Sequence, residues 1–444
     1  MTPQGKRLRQ MPAVRWCLEH AIFIVLLLLF LERFLALWTL GVHYTLASDD
    51  LSYIKSGIRF AQTGMVTMHG TTPSAQSMPG MTWFIGLFAW ILGDGTALWW
   101  ALKLTWIAMG TATAWFLYKS VGLFAPKWCG LLACLPLFSV DFVWTDNLIL
   151  TETPFILCLS AMIYCTFLLG KTQSRRALAG CIVSYLCALL LKANIALYPL
   201  FALGYLLAVK YPFKKLLKQG VILACAVLCF LVPWTIRNYV QFQDFVPLTY
   251  GAGNPSLLGT YQGYGYPEDD ELNYTANVDV PFAEEYASYL DENGQVPERY
   301  EKYLSLQHDA AKASYRLHAW AEKDLKSLLV SYGILKPKTI INGVFYWDRV
   351  FHVPVRWVEK AQTLNPALCV LALGLSLLTK KRRGQILFLA ALYLGNVAIY
   401  AATFAFERYS IGLMPMRCLM IGFGAAVLWD LSADGKLQRG SPAK

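Results

Sequence analysis

The chain has 444 residues, of which 56% are hydrophobic and 15% are charged. Soluble globular chains carry about a quarter charged residues, so this chain is unusually apolar. So high an apolar content over this length excludes a disordered chain, a coiled coil and a small disulfide scaffold. The net charge of +11 is divided among short basic clusters along the chain. Separate clusters of this kind indicate the cytoplasmic loops of a membrane protein, and they exclude a nucleic-acid-binding face.

Ten apolar blocks are predicted to cross the membrane, because a helix needs about 20 apolar residues to span a bilayer. Their alternation with basic loops gives one path that keeps both termini in the cytoplasm. The predicted spans lie near residues 20–42, 96–118, 128–143, 153–170, 177–191, 195–209, 218–235, 364–379, 385–404 and 411–429. Residues 79–93 are short for a crossing and are predicted to form a re-entrant or interfacial helix on the outer side. The fold class is therefore an all-α polytopic membrane protein.

Three regions follow from this path. Residues 1–235 form an N-terminal transmembrane core whose first outer loop covers residues 43–78. Residues 236–360 hold 17 of the 28 Asp and Glu residues against 12 Lys and Arg, so they are predicted to lie outside as a mixed loop or cap region. Residues 361–444 supply the last transmembrane helices and a cytoplasmic tail. Within the first span, Glu32 and Arg33 are predicted to form an ion pair, since unpaired charges are costly there.

Carboxylates stand at two of the predicted outer turns. Asp49 and Asp50 follow the first span directly. Such a pair can act as a general base, bind a cation or cap the following helix. Glu152 begins a later span, where the helix dipole alone already favours a negative charge.

Cations stand at three further outer turns. Lys192 lies in a very short turn, Arg237 follows Pro233-Trp234, and Arg408 belongs to the sequence Glu407-Arg408-Tyr409. The fork geometry of arginine suits phosphate. These outer charges either form structural ion pairs between loops, or form one site with carboxylates for a hydroxyl substrate and cations for a phosphate.

Five short motifs occur in order along the chain. They are Asp49-Asp50-Leu51-Ser52-Tyr53, Pro79-Gly80 at the start of the short apolar helix, Leu150-Thr151-Glu152-Thr153-Pro154, Pro233-Trp234-x-x-Arg237-Asn238 and Glu407-Arg408-Tyr409 followed by Met414-Pro415. Together they resemble the GT-C superfamily of membrane glycosyltransferases, in the group of protein O-mannosyltransferases and lipid A aminoarabinose transferases. One departure is that Ser77 and Met78 stand where some relatives have a lysine that contacts the donor phosphate.

The resemblance implies a GT-C-like fold and an inverting transfer of a sugar from a polyprenyl-phosphate donor to a hydroxyl acceptor. It implies Asp49 as the general base with Asp50 as the alternative base, and Glu152 as a residue that orients the acceptor or assists the base. It further implies that Arg237, Arg408 and Lys192 bind the donor phosphate and that Tyr53 and Tyr409 bind substrate. No cofactor and no metal site are predicted, although paired acids also suit a divalent cation.

The expected partners are a polyprenyl-phosphate sugar, a hydroxyl acceptor and membrane lipid, and no nucleic acid. The motifs and the short basic loops favour a bacterial inner membrane, which makes the outer face periplasmic. One alternative is an O-antigen polymerase or ligase that uses a lipid-linked diphosphate, an enzyme that does not need the acidic motif after the first span. The other is a transporter or flippase, which predicts similar halves with ionisable residues near the bilayer midplane.

Overall fold

The computed structural model describes residues 20–439, and every regular element within them is a helix. The predicted cytoplasmic termini, residues 1–19 and 440–444, lie outside the described residues. Six helical segments are long and apolar enough to cross a membrane: Ala21–Leu40, Glu152–Thr172, Phe213–Phe242, Val355–Leu378, Arg383–Ala401 and Met414–Ser432. The prediction of an all-α polytopic membrane protein is confirmed, and the remaining predicted spans are helices that are shorter or less apolar.

From residue 20 onwards, the N-terminal half of the chain contains ten α-helices. In chain order they are α1 (Ala21–Leu40), α2 (Asp49–Thr63), α3 (Gly80–Leu92), α4 (Thr96–Gly122), α5 (Lys127–Cys134), α6 (Val140–Thr145), α7 (Glu152–Thr172), α8 (Arg175–Leu191), α9 (Tyr198–Ala208) and α10 (Phe213–Phe242). Helix α2 lies in the predicted first outer loop. Helix α3 has 13 residues, too few to cross a bilayer, and it ends at Gly93, which has a φ of +74°.

Eight α-helices make up the rest of the described chain. They are α11 (Gly253–Gly259), α12 (Val280–Tyr286), α13 (Glu298–Val330), α14 (Lys336–Asn342), α15 (Val355–Leu378), α16 (Arg383–Ala401), α17 (Tyr409–Gly412) and α18 (Met414–Arg439). The predicted boundary between residues 235 and 236 falls inside α10, and the one between residues 360 and 361 falls inside α15. We call residues 236–360 the polar segment. Both long helices therefore continue from the polar segment into the apolar region without a break.

Helix α7 lies at the centre of the membrane region, where it packs against α4 and α8. Its fully buried Phe167 contacts the ring of Tyr205 in α9 and the ring of Phe423 in α18, at centroid distances of 5.3 and 5.8 Å. Burial of large aromatic side chains supplies much of the packing free energy of such a core. Because α7 begins at Glu152, this packing holds the Glu152 carboxylate at one end of the central helix.

A buried ion pair joins α1 to the segment before α7. The guanidinium of Arg33 is fully buried, and its Nε donates a hydrogen bond of 2.6 Å to Oδ2 of Asp146. Its Nη2 also donates to the carbonyl oxygen of Leu137 at 2.9 Å. The predicted partner, Glu32, is farther away, with 3.6 Å between its Oε2 and Nη1 of Arg33. The predicted pair is therefore present, but Asp146 is the closer partner of the buried charge.

We expect Arg33→Leu to lower the free energy of unfolding by about 3–5 kcal/mol, because it leaves the Asp146 carboxylate buried without its cation. Thermal unfolding of the purified protein in detergent measures the change. Glu32→Gln is the matched control, and it should have little effect because Glu32 is partly exposed. Equal losses of stability in the two variants would contradict the assignment of Asp146 as the main partner.

The polar segment packs on the first outer loop through an aromatic cluster. Phe242, Tyr250 and Tyr303 contact one another with ring centroids 5.0–5.6 Å apart. The backbone N–H of Tyr250 donates to the carbonyl oxygen of Ala75 at 3.1 Å, and its hydroxyl lies 3.1 Å from Oγ of Ser74. These contacts attach the polar segment to the loop that follows α2.

A buried lysine joins the polar segment to the loop between α16 and α17. Lys336 of α14 donates a hydrogen bond of 2.7 Å from Nζ to the carbonyl oxygen of Thr403, and its Nζ lies 3.1 Å from the ring centroid of Tyr332. None of the described carboxylates pairs with it. Burial therefore lowers the pKa of Lys336 to about 7.

The stability of the protein should consequently rise as the pH increases from about 7 towards about 10. In that range the unfolded chain, whose lysines have a pKa of about 10.4, binds a proton that the folded chain does not. We expect Lys336→Met to reduce the rise in unfolding temperature between pH 7 and pH 9. Lys338→Met is the matched control, since Lys338 is exposed on the same helix. An unchanged pH dependence in Lys336→Met would contradict the assignment.

Candidate functional site

The two adjacent carboxylates at the start of α2 have different environments. Asp50 is fully buried, and its carboxylate accepts hydrogen bonds from the backbone N–H groups of Leu46, Ser48 and Leu51 at 2.7, 3.2 and 2.9 Å. Asp50 therefore holds the turn that leads into α2. The side chain of Asp49 is 34% exposed and is directed to other charged groups.

Arg408 connects Asp49 to Glu152. Its Nε and Nη2 donate to the two carboxylate oxygens of Glu152, both at 2.8 Å, and its Nη1 donates to Oδ2 of Asp49, also at 2.8 Å. Lys192, directly after α8, donates from Nζ to Oε1 of Glu152 at 2.8 Å. We call these four side chains the charged cluster. It unites residues from four separate segments, and bidentate contacts of this kind are the strongest that arginine makes.

The charged cluster contains two carboxylates and two cations, so its formal charges balance. Glu152 is fully buried and each of its oxygens accepts from a cation, which offsets the cost of desolvation. Burial alone would raise the pKa of the Asp49 carboxyl, but its contact with His69 and the charge of Arg408 outweigh this and hold that pKa below its usual range. Asp49 is therefore ionised at neutral pH.

His69 extends the cluster, and no motif in the sequence pointed to it. Its Nε2 lies 3.3 Å from Oδ1 of Asp49, and its Nδ1 lies 2.9 Å from Oγ of Ser52. Because the ionised Asp49 only accepts, Nε2 of His69 carries the proton that lies between them. The loop that brings His69 back to α2 gives it a φ of +55°, in the left-handed region. Only this loop conformation reveals the contact, since 20 residues separate His69 from Asp49.

The two predicted tyrosines lie close to the cluster. Tyr53 is buried on α2, where burial and the negative charge of Asp49 raise the pKa of its hydroxyl. Tyr409 follows Arg408, and its ring stacks on Tyr400 with centroids 4.3 Å apart and an interplanar angle of 15°. Aromatic faces of this kind suit sugar rings as well as membrane interfaces.

Arg237 is not brought together with the other predicted residues. Its Nη1 donates to the carbonyl oxygen of Ser74 at 3.0 Å and to Oδ1 of Asn238 at 2.9 Å, and its Nη2 donates to the carbonyl oxygen of Val66 at 3.3 Å. Its guanidinium lies 5.2 Å from the ring of Trp234. Arg237 thus binds the loop after α2 to α10, and none of its contacts reaches Asp49 or Glu152.

Metal binding would require several ligands in one place. Within residues 20–439, no three His, Cys, Asp or Glu side chains are arranged to hold a metal ion. Asp49 and His69 supply two such groups, and Arg408 occupies the other oxygen of Asp49.

Residues 73–236 match the family model of the dolichyl-phosphate-mannose-protein mannosyltransferases. No curated protein matches the chain. Among solved structures, ArnT from Cupriavidus metallidurans bound to undecaprenyl phosphate is similar at 13% identity and a TM-score of 0.43, over 94% of this chain and 79% of that one. Its apo structure is similar at 14% identity and a TM-score of 0.41, over 96% of this chain and 80% of that one.

The family match confirms the resemblance that the sequence motifs indicated. The matched segment runs from the end of the first outer loop into α10, and it includes Glu152 and Lys192. Asp49 and Arg408 lie outside it, but Arg408 contacts both Glu152 and Asp49 directly, which places all three in the same site.

Proposed function

We propose that the chain, as a membrane glycosyltransferase of the GT-C type, transfers a sugar from a polyprenyl-phosphate donor to a hydroxyl acceptor at the outer membrane face. The observation that carries the proposal is the charged cluster itself. Asp49, Glu152, Lys192 and Arg408 come from segments up to 359 residues apart, yet they form one continuous set of contacts. Three of the four belong to motifs that resemble the family.

Asp49 is the group best placed to act as the general base. The carboxylate of the fully buried Asp50 already accepts hydrogen bonds from three backbone N–H groups, and Glu152 is fully buried between two cations. Asp49 alone of these three keeps about a third of its side chain exposed, at 34%. A base must reach the proton that it removes, so geometry favours Asp49 before any comparison of basicity.

The proposed reaction is a single displacement with inversion. The acceptor oxygen forms a bond to the anomeric carbon of the donor while the bond from that carbon to the phosphate oxygen breaks. The acceptor proton passes to Asp49, and the polyprenyl phosphate leaves with the electron pair of the broken bond. His69 and Arg408 hold one oxygen each of Asp49, so they fix the carboxylate in place before the proton arrives.

Glu152 and Lys192 act by positioning Arg408 in this scheme. The two hydrogen bonds that Arg408 donates to Glu152 fix the guanidinium plane, and Lys192 offsets the remaining charge of Glu152. The third nitrogen of Arg408 can then hold Asp49 without moving. Since these charges balance within the cluster, the charge of a donor phosphate requires other cations.

The proposed location is the inner membrane of a bacterium, with the charged cluster on the periplasmic side. Two properties support it: the acidic balance of residues 236–360, and the position of the cluster at the ends of helices that the basic-loop pattern places outside. The sugar and the acceptor are not specified by the contacts described here.

The test is a transfer assay with the purified full-length protein in lipid nanodiscs. A set of polyprenyl-phosphate sugars is supplied with an envelope lipid extract, and release of polyprenyl phosphate is followed by mass spectrometry. We expect release that depends on both the sugar donor and the extract, and a product anomer opposite to that of the donor. Retention of the anomeric configuration, or activity only with lipid diphosphates, would contradict the proposal.

A further inference from the structure

Helix α2 has two different faces. Ser52, Lys55, Arg59 and Gln62 recur at the three- and four-residue spacing that places side chains on one side of a helix. The opposite side is buried against α3, where Oγ of Ser56 lies 2.8 Å from Oγ1 of Thr82. The contact with α3 fixes the rotation of α2, so the polar face is turned away from the protein core.

This polar face lines a cavity of about 570 Å³. The loop that carries His69 and Thr71 lines its other side. His69 is the same residue that contacts Asp49. The cavity is therefore directly adjacent to the proposed base.

The cations of this cavity are not neutralised by the protein. Lys55 and Arg59 make no ion pair with any described carboxylate, in contrast to Lys192 and Arg408. Two carboxylates contact residues at the cavity rim. Asp49 is shared by His69 and Arg408, and Glu298 accepts a hydrogen bond of 3.4 Å from Thr71. The wall of the cavity consequently keeps a local excess of positive charge.

We propose that Lys55 and Arg59 form a binding site for the phosphate group of a lipid-linked substrate, and that His69 connects this site to Asp49. The inference rests on the proposed function, and it supplies the countercharge that the balanced charged cluster lacks. Lysine and arginine are the usual partners of phosphate oxygens, and Gln62 offers a further donor on the same face.

The position of α3 supports a lipid-linked source for the phosphate. Its residues Leu87, Trp90 and Ile91 are exposed. A short helix that exposes tryptophan beside aliphatic residues is typical of the boundary between the membrane and water. Because α2 packs directly on α3, the basic face lies near the level at which lipid phosphates are found.

The experiment measures binding of a polyprenyl monophosphate, which carries no sugar, to the purified full-length protein in nanodiscs. The test variant is Lys55→Gln/Arg59→Gln, with Lys55→Gln alone as a milder version. The control variant, Lys302→Gln/Lys326→Gln, removes the same charge from exposed positions elsewhere in the polar segment. The corresponding polyprenol serves as the uncharged probe and inorganic phosphate as the soluble competitor.

We expect the double variant to bind the polyprenyl monophosphate about tenfold more weakly, with about threefold for Lys55→Gln, since each exposed ion pair contributes only modestly to binding. Polyprenol binding and the control variant should not change. Unchanged binding of the monophosphate by the double variant would overturn the site. Displacement of the lipid by an equal concentration of inorganic phosphate would overturn its assignment to a lipid-linked phosphate.

The same variants separate this site from the proposed function. If the wild-type protein transfers no sugar but the double variant still loses lipid phosphate binding, the site stands and the transferase proposal fails. If the double variant transfers sugar with an unchanged KM for the donor and unchanged lipid binding, the phosphate site fails and the transferase proposal stands.

Discussion

Replacement of Asp49 by Asn is expected to lower kcat for sugar transfer about 10²–10⁴-fold, the usual contribution of a general base. The amide keeps the shape of the side chain but cannot accept the proton of the acceptor hydroxyl. The fold should persist, because Asp49 is partly exposed and Arg408 keeps both of its contacts with Glu152. Single-turnover rates with saturating donor measure the effect.

Two carboxylates provide the controls for Asp49. Asp94→Asn changes an exposed outer aspartate that contacts none of the cluster, so it should leave kcat unchanged. Asp50→Asn should lower the unfolding temperature, because the amide replaces a carboxylate that accepts from three backbone N–H groups. Full activity in Asp49→Asn, together with a folded but inactive Asp50→Asn, would transfer the role of base to Asp50.

Loss of Arg408 is expected to cost both stability and activity. Arg408→Gln leaves the fully buried Glu152 with Lys192 as the one cation among residues 20–439 that still contacts it, and breaking a buried ion pair costs about 3–5 kcal/mol. Asp49 also loses the hydrogen bond that fixes its position. We expect a lower unfolding temperature in detergent and a transfer rate close to background.

A double variant tests whether Glu152 and Arg408 act together. Glu152→Gln/Arg408→Gln removes both charges, so its loss of stability should be smaller than the sum of the two single losses. Arg408→Lys should not restore activity, because one ammonium group cannot replace three nitrogens that contact two carboxylates. Strictly additive losses would show that the two residues contribute independently.

The helical layout was predictable from the sequence because apolar length and basic loops are local signals. The short helix at 79–93 matches α3, and the span predicted near 153–170 matches α7. Asp49, Glu152, Lys192 and Arg408 could be selected as well, since charges at the ends of apolar helices are rare and costly. Their pairing could not be predicted, because it depends on how α2, α7, α8 and α17 pack.

The contacts that the sequence did not reveal are those between distant or irregular segments. Asp146 is 113 residues from Arg33, so the adjacent Glu32 was the natural partner to predict. His69 reaches Asp49 through a left-handed residue in a loop without a motif. Arg237 was predicted to bind phosphate because of its position at the end of a span. Its contacts with the carbonyl groups of Val66 and Ser74 follow from the fold of the loop after α2, which no local pattern encodes.

The most direct test of the central claim is mass spectrometry of envelope glycolipids from cells that lack the gene. Parallel cultures are complemented with the wild-type gene, with Asp49→Asn or with Asp94→Asn. We expect one sugar to disappear from a defined glycolipid, and to return with the wild-type gene and Asp94→Asn but not with Asp49→Asn. Collapse of long polymers to single repeat units, or full restoration by Asp49→Asn, would contradict a transferase that uses Asp49 as its base.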